Sequence, residues 1–158
     1  ISLELMEGGD LLSPIEERGV GLPEPMCRSL FKQISDGVGH MHKCGWAHRD
    51  IKPENIGVKR QGKAVLQAKL LDLGSAHRCA AGEATLTGLF GTPVYVAPEV
   101  ALWFGKKPAE QKALPSYGLP ADCWSLGATL FVMLTAEAPW NQELPLVELM
   151  GCIVSGRQ

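Results

Sequence analysis

Apolar and polar positions alternate over Ile1-Ser2-Leu3-Glu4-Leu5-Met6, which is the two-residue period of a half-buried strand. Glu7-Gly8-Gly9-Asp10 breaks the alternation and Leu11-Leu12 resumes the apolar character, so a strand, a turn and a helix start are expected. The period then changes. After Pro23 and Pro25, the residues Met26, Leu30, Ile34, Val38 and Met41 recur at spacings of four, four, four and three, with Phe31 beside them. This is one apolar stripe of an amphipathic helix, and it predicts a helix over 26–44 with Gly45 as its C-terminal cap. The stripe reads as core, and His40 and His42 on the same helix read as structural. Gly37 and Gly39 each weaken such a helix by about 1 kcal/mol relative to alanine.

Further along, Ile56-Gly57-Val58 reads as a short strand, Gln61-Gly62-Lys63 as a turn and Ala64 to Leu71 as the returning strand. From Asp72 to Glu99 the chain is rich in Gly, Ala and Thr; a loop of that length is usually functional or disordered. Val100 to Leu119, with Lys106-Lys107, Pro108 and Pro115, reads as a surface insertion. Trp124, Leu126, Leu130, Phe131, Met133 and Leu134 then make a helix apolar nearly all round, the pattern of a central core helix, closed by Pro139-Trp140. A last helix is expected from Leu144 to Val154.

Bulk properties narrow the function classes. The chain has 158 residues, 46% hydrophobic and 20% charged, enough for one domain with a real core. A formal net charge of -2 gives no electrostatic reason to expect nucleic acid or an anionic membrane as partner. The five cysteines are odd in number, scattered and free of any C-x-x-C pair, which points to a reducing intracellular compartment, cytoplasm or nucleus, rather than to secretion. The four histidines lack metal-ligand spacing. The apolar stretch from Trp124 to Leu134 is too short to span a bilayer. The start has no basic region of a signal peptide, begins with Ile, and opens in apparent mid-strand, so a fragment of a longer protein is expected. Nothing in the sequence speaks to oligomeric state.

The chemistry concentrates in His48-Arg49-Asp50-Ile51-Lys52-Pro53-Glu54-Asn55. A core segment would not hold so many polar groups without partners. Asp72-Leu73-Gly74 and Ala97-Pro98-Glu99 follow. The His-Arg-Asp triplet with Asn five residues after the Asp resembles the catalytic loop of protein kinases, and the two later triplets stand in the chain order of that family's motifs. The chain is thus similar to the C-terminal lobe of eukaryotic-type Ser/Thr protein kinases. Leu5-Met6-Glu7-Gly8-Gly9, Phe90-Gly91-Thr92-Pro93 and Asp122-Cys123-Trp124-Ser125-Leu126-Gly127 resemble the calcium/calmodulin-dependent and checkpoint-type branch.

The resemblance implies an α+β, kinase-like fold: a mainly helical C-lobe with a hinge strand and a short β-hairpin, as a partial domain over 1–158. It also implies transfer of the ATP γ-phosphoryl group, with Mg2+, to Ser or Thr of a protein substrate. Phosphoryl transfer asks a protein mainly for positioning and charge neutralisation. By resemblance, Asp50 takes or orients the proton of the attacking hydroxyl, Lys52 neutralises charge on the transferred group, and Asn55 and Asp72 hold the magnesium. Backbone groups at Glu4 and Met6 match those that bind the adenine edge, Leu3 matches the gatekeeper, and Asp10 matches an acid that reaches the ribose or a basic substrate residue. Glu54 matches a position that pairs with a basic residue upstream of the target. His48 is architectural. Arg49 either receives a phosphate from the activation segment, with Thr85 and Thr87 as candidate phosphosites, or fixes the loop through the backbone. Thr92 ties the segment to Asp50 and Lys52, Asp122 caps the loop's backbone from below, and Glu99 pairs with an arginine late in the domain.

Two departures stand out. Leu73 replaces the usual Phe, a mild change in a side chain expected to pack. Gly57 stands where the family sets a bulky apolar side chain under the adenine, a loss of about 1.5–3 kcal/mol of potential contact. The glycine-rich loop and strand lysine that the resemblance calls for are not among the 158 residues, so these residues alone are expected to be inactive. A pseudokinase or scaffold without turnover, or a purely structural fragment, are the alternatives.

Overall fold

The computed structural model describes residues 4–62 and 64–157. The helices are α1 (Leu12–Arg18), α2 (Glu24–Lys43), α3 (Pro98–Ala101), α4 (Pro108–Gln111), α5 (Pro120–Thr135) and α6 (Leu146–Ser155). The strands are β1 (Trp46–Ala47), β2 (Ile56–Gln61), β3 (Ala64–Leu70) and β4 (His77–Arg78). Two small antiparallel sheets result, β2 with β3 and β1 with β4. The architecture is the expected helix-rich α+β lobe.

The long helix α2 is the platform. Cys27, Leu30, Ile34 and Val38 form its buried stripe, so at its start Cys27 takes the place expected of Met26. The stripe faces β3 on one side and α5 on the other. Gly37 has a use here: a Cβ on it would stand 3.3 Å from Leu70 Cδ1, so the missing side chain lets the hairpin lie close against the helix. Gln33 Oε1 accepts from the Ala68 amide at 3.1 Å, fastening β3 to α2 with a polar bond. Gly45, at φ 74°, turns the chain out of α2 and into β1.

Residues 4–6 do not form the expected strand; Ile1 to Leu3, the rest of it and the site of the gatekeeper position, lie outside the described residues. The segment docks on the hairpin further along. Gly8 donates to Val58 O, Val58 to Gly9 O and Leu11 to Ile56 O, each at 2.8–2.9 Å, and Asp10 bridges Gly57. The ladder partners on β2 are therefore taken by 8–11 rather than by 4–6. Glu4 is instead ion-paired with Lys59 and Lys69, one from each strand of the hairpin.

Two further expectations need correction. The 100–119 segment is not simply a surface insertion, because Trp103, Tyr117 and Leu119 are buried. Leu86 and Tyr117 exchange two backbone hydrogen bonds at 2.9 Å, which pins the activation segment to this stretch. Helix α5 is not wrapped all round either. Trp124, Phe131 and Leu134 are 40%, 39% and 44% exposed, while the polar Asp122, Ser125 and Thr129 are buried. Its inward face meets α2 and the turn at Pro93–Tyr95, and Ser125 Oγ bonds Tyr95 O at 2.8 Å.

Candidate active site

The catalytic-loop motif sits between β1 and the 3-10 turn Pro53–Asn55. It rests on one buried carboxylate. Asp122, in the first turn of α5 and 1% exposed, accepts from His48 N at 2.8 Å, from Arg49 N at 2.9 Å and is 2.7 Å from His42 Nε2. Arg49 has φ 68°, a left-handed backbone that costs an ordinary residue about 1–2 kcal/mol. The two amide bonds to Asp122 fix that turn. A carboxylate accepting several N–H groups is a strong anchor because each bond is charge-assisted.

His48 is wholly buried. Its Nε2 lies 3.0 Å from Leu71 O and its Nδ1 accepts from Asp50 N at 3.3 Å, so it braces the loop against the residue that precedes Asp72. Leu71 N in turn donates to Asn55 O at 2.8 Å. The Arg49 guanidinium donates from Nε to Ser75 O at 2.6 Å and lies 3.7 Å over the Phe90 ring, a cation–π contact.

Above this base Asp50, Lys52, Asn55 and Thr92 close a ring of polar side chains. Thr92 Oγ1 donates to Asp50 Oδ1 at 2.9 Å and accepts from Lys52 Nζ at 2.6 Å. Lys52 Nζ stands 3.4 Å from Asp50 Oδ2. Asn55 Nδ2 donates to both the carbonyl and Oδ2 of Asp50 at 2.8 Å. The Asn55 amide is therefore oriented by its nitrogen, and no bond among the described residues is made to its Oδ1.

Asp72 is placed differently. It is exposed, has φ 52°, and its Oδ1 accepts from Gly74 N at 3.0 Å. Leu73, expected to pack, is 59% exposed. The oxygen donors offered by Asn55 Oδ1 and the Asp72 carboxylate suit Mg2+, a hard cation that takes one or two carboxylates and completes its shell with water and phosphate oxygens. Among the described residues no group of three or more His, Cys, Asp or Glu could hold a metal by itself.

The remaining expected site residues are spread around this centre. Asp10 Oδ1 accepts from the amide and hydroxyl of Ser13 at 2.9 and 2.8 Å, which commits one of its oxygens to the start of α1. Met6 is buried, and its carbonyl accepts from Gly9 N at 3.2 Å. Glu4 has its pKa lowered to about 2, first by its hydrogen bonds to Lys59 and Lys69. Glu54 is exposed, and its charge adds to the effect of burial in raising the Tyr95 pKa. Thr85 and Thr87 are exposed on either side of buried Leu86. Glu99 is half-buried, and no ion pair to it is found among the described residues.

Three contributors escape a reading of the sequence. His42 shares Asp122 with the loop, although its position on α2 resembles that of any solvated helix residue. Phe90 covers Arg49. Tyr117, whose hydroxyl donates to Gly88 O at 3.1 Å and whose pKa is raised by burial, holds the activation segment. An aromatic residue among Gly, Pro and Ser was the available signal for Tyr117.

Comparison with known proteins identifies the family. A family profile described as protein kinase domain matches residues 1–150. The chain is 37% identical to a probable serine/threonine-protein kinase, fhkA, of Dictyostelium discoideum, over 98% of the chain and 29% of the relative. It is 38% identical to the serine/threonine-protein kinase CHK1 of Saccharomyces cerevisiae over 94% of the chain and 26% of that protein. It is 35% identical to death-associated protein kinase 2 of Mus musculus over 87% of the chain and 34% of that protein. The chain thus spans about a quarter to a third of the length of these relatives. With the family profile covering nearly all of its residues, the chain belongs to the protein kinase domain family.

Proposed function

We propose that this chain carries the phosphoryl-transfer centre of a Ser/Thr protein kinase, acting from ATP and Mg2+ on hydroxyl groups of protein substrates. The observation that carries the reading is the ring Asp50–Thr92–Lys52, with Asn55 oriented by Asp50. When bound, Mg2+–ATP supplies the transferable phosphoryl group and the metal that shields its charge. Asn55 Oδ1 and the Asp72 carboxylate are the atoms that hold the metal. Asp50 positions the substrate hydroxyl and takes its proton, and Lys52 keeps a positive charge beside the group in transfer. Thr92 holds Asp50 and Lys52 in register, so the activation segment must be in place for the centre to be complete. Backbone groups at Glu4 and Met6 take the adenine edge, and the free oxygen of Asp10 is available to the ribose.

A cleft of about 360 Å³ beside Thr92 is lined by Glu16, Glu54 and the apolar Leu12, Ile15, Val94 and Tyr95. Two carboxylates on apolar walls suit the long stem and cationic head of a basic substrate side chain, which supports a basic residue upstream of the target. Exposed Thr85 and Thr87 are the proposed phosphosites, and Arg49 the proposed receiver, exchanging Phe90 for the phosphate. Five free thiols support an intracellular setting. No helix among the described residues is long and apolar enough to cross a membrane.

The test is transfer of labelled γ-phosphate from ATP by the intact protein to Ser-containing peptides with and without an upstream Arg. The expected result is Mg2+-dependent labelling that favours the basic peptide and falls by about 10²–10⁴-fold in Asp50→Asn. Labelling that survives Asp50→Asn contradicts the assignment. Nucleotide binding without any transfer favours the pseudokinase alternative.

A further inference from the structure

Gly57 lies near the start of β2, opposite Lys69 across the hairpin and bridged to Asp10. Members of the family it resembles carry a bulky side chain at this position, and its absence reads as a gap. The structure shows the gap filled. A Cβ built on Gly57 would stand 2.7 Å from Met6 Cγ, 2.9 Å from Met6 Cβ and 2.8 Å from Leu71 Cδ1. Real Cβ atoms do not come so close to neighbours, so even alanine requires both side chains to move. Met6 is 9% exposed while the adjacent Leu5 is 75% exposed, so the hinge turns this one side chain inward.

Both intruding residues are anchored. Met6 O is bonded by Gly9 N at 3.2 Å, and Gly8 N by Val58 O at 2.9 Å, which ties the hinge turn to β2. Leu71 is tied at both backbone atoms, to Asn55 O at 2.8 Å and to His48 Nε2 at 3.0 Å, and it immediately precedes Asp72. With both backbones held, a side chain at position 57 is accommodated only by rotation of Leu71 and by a shift of Met6, whose Cβ itself stands 2.9 Å from the added Cβ.

We propose that Met6 and Leu71 together replace the side chain missing at position 57 and form the apolar face on which the nucleotide base lies. The proposal rests on the reading of the chain as an ATP-using kinase. It reverses the expectation from sequence: Gly57 is needed for this face to exist, rather than being a defect in it. A methionine suits the position because its flexible, polarisable thioether fills irregular gaps and makes favourable contacts with aromatic rings. The same packing links the hinge, which takes the base edge, to the residue before the metal-holding Asp72.

A double-mutant cycle of Gly57→Leu and Met6→Ala in the intact protein tests it, read by thermal unfolding without nucleotide and by calorimetric binding of Mg2+–ADP. Each single variant is expected to lower Tm by about 4 °C or more and to weaken Mg2+–ADP binding about tenfold. The double variant is expected to recover part of both losses, because the new leucine occupies the volume that Met6 vacates. Gly57→Ala replaces Gly57→Leu in the cycle if the larger variant does not fold. A Tm unchanged or raised by the Gly57 substitution, or strictly additive effects, overturns the packing claim. Coupling in Tm without coupling in Mg2+–ADP affinity overturns the assignment of this face to the base. Wild-type protein that binds no Mg2+–ADP overturns the kinase reading and this assignment together, and the Tm cycle still judges the packing by itself.

Discussion

The turn at Arg49 and the turn at Asp72 both place a non-glycine residue in the left-handed region, at φ 68° and 52°, and they are held in opposite ways. Arg49 is fixed from beneath by a buried carboxylate, from the side by Ser75 O and from above by the Phe90 ring. The Asp72 carboxylate accepts one bond, from Gly74 N two residues on, and Asp72 sits exposed beside a Leu73 that is 59% exposed. Strain of about 1–3 kcal/mol persists only where surroundings over-determine it. At Arg49 the surroundings are protein. At Asp72 the protein holds the flanking backbone through Leu71 and Ser75 and gives the carboxylate itself one partner, the Gly74 amide, which leaves that carboxylate open to the metal in the proposed reaction. On the proposed function, the half of the centre assigned to the substrate hydroxyl has its side chains held by one another, and the half assigned to the metal has a carboxylate with one protein partner.

The largest effect on this contrast comes from removing the support under the loop. Asp122→Ala leaves the buried amides of His48 and Arg49, and His42, without their acceptor. A loss of about 3–5 kcal/mol is expected, visible as a large fall in Tm in chemical or thermal unfolding. A fall of less than about 1 kcal/mol would mean that the loop is not held from below.

Asp72→Asn is expected to behave in the opposite manner. Asparagine tolerates the left-handed turn and can still accept from Gly74 N, so unfolding without ligand should change by no more than about 0.5 kcal/mol. The stabilisation by Mg2+–ATP, about 2.7 kcal/mol at a hundredfold excess over Kd, should disappear. Retention of that shift in Asp72→Asn would remove Asp72 from the metal site.

The smallest effect concerns the hinge end. Glu4 has a folded pKa of about 2 against an ordinary 4.5, so its pairing with Lys59 and Lys69 adds stability that is fully present above about pH 4.5. That contribution declines below this pH and is gone once pH has fallen through about 2. Glu4→Gln should therefore lower Tm slightly at neutral pH, and the difference from wild type should vanish on acidification across that window. Because the pair is partly exposed, added salt should shrink it as well. A difference independent of both pH and salt would assign the effect to packing.

How much of this was legible in the sequence follows the range of the interactions. The helix over 26–44, the hairpin and the catalytic loop rest on local periodicity and on a dense polar motif; the helix and β3 lie within two residues of their expected places, while β2 runs three residues past the expected Val58 to Gln61. Helix α5 illustrates the limit. Its apolar composition gave no way to tell that Asp122, Ser125 and Thr129 point inward while Trp124 and Phe131 stay 40% and 39% exposed. Which face is covered depends on α2 and the Pro93–Tyr95 turn, far away in the chain. Tyr117 was hidden for the same reason, since its partner Leu86 is a loop residue with no period of its own. Gly57 was read as a missing contact because a sequence records the absent side chain but not the two that enter its space.

The contrast between the two turns predicts a catalytic loop that is rigid before ligand arrives and an Asp72 turn that becomes rigid only with it. Amide hydrogen exchange on the intact protein, with and without Mg2+–ATP, measures this directly. The amides of His48 and Arg49 should be strongly protected in both states, and those of Gly74 and Ala76 should exchange fast alone and slow when Mg2+–ATP is added. Equal and fast exchange at His48, Arg49 and Gly74 without ligand, with protection gained by all three together, would contradict it.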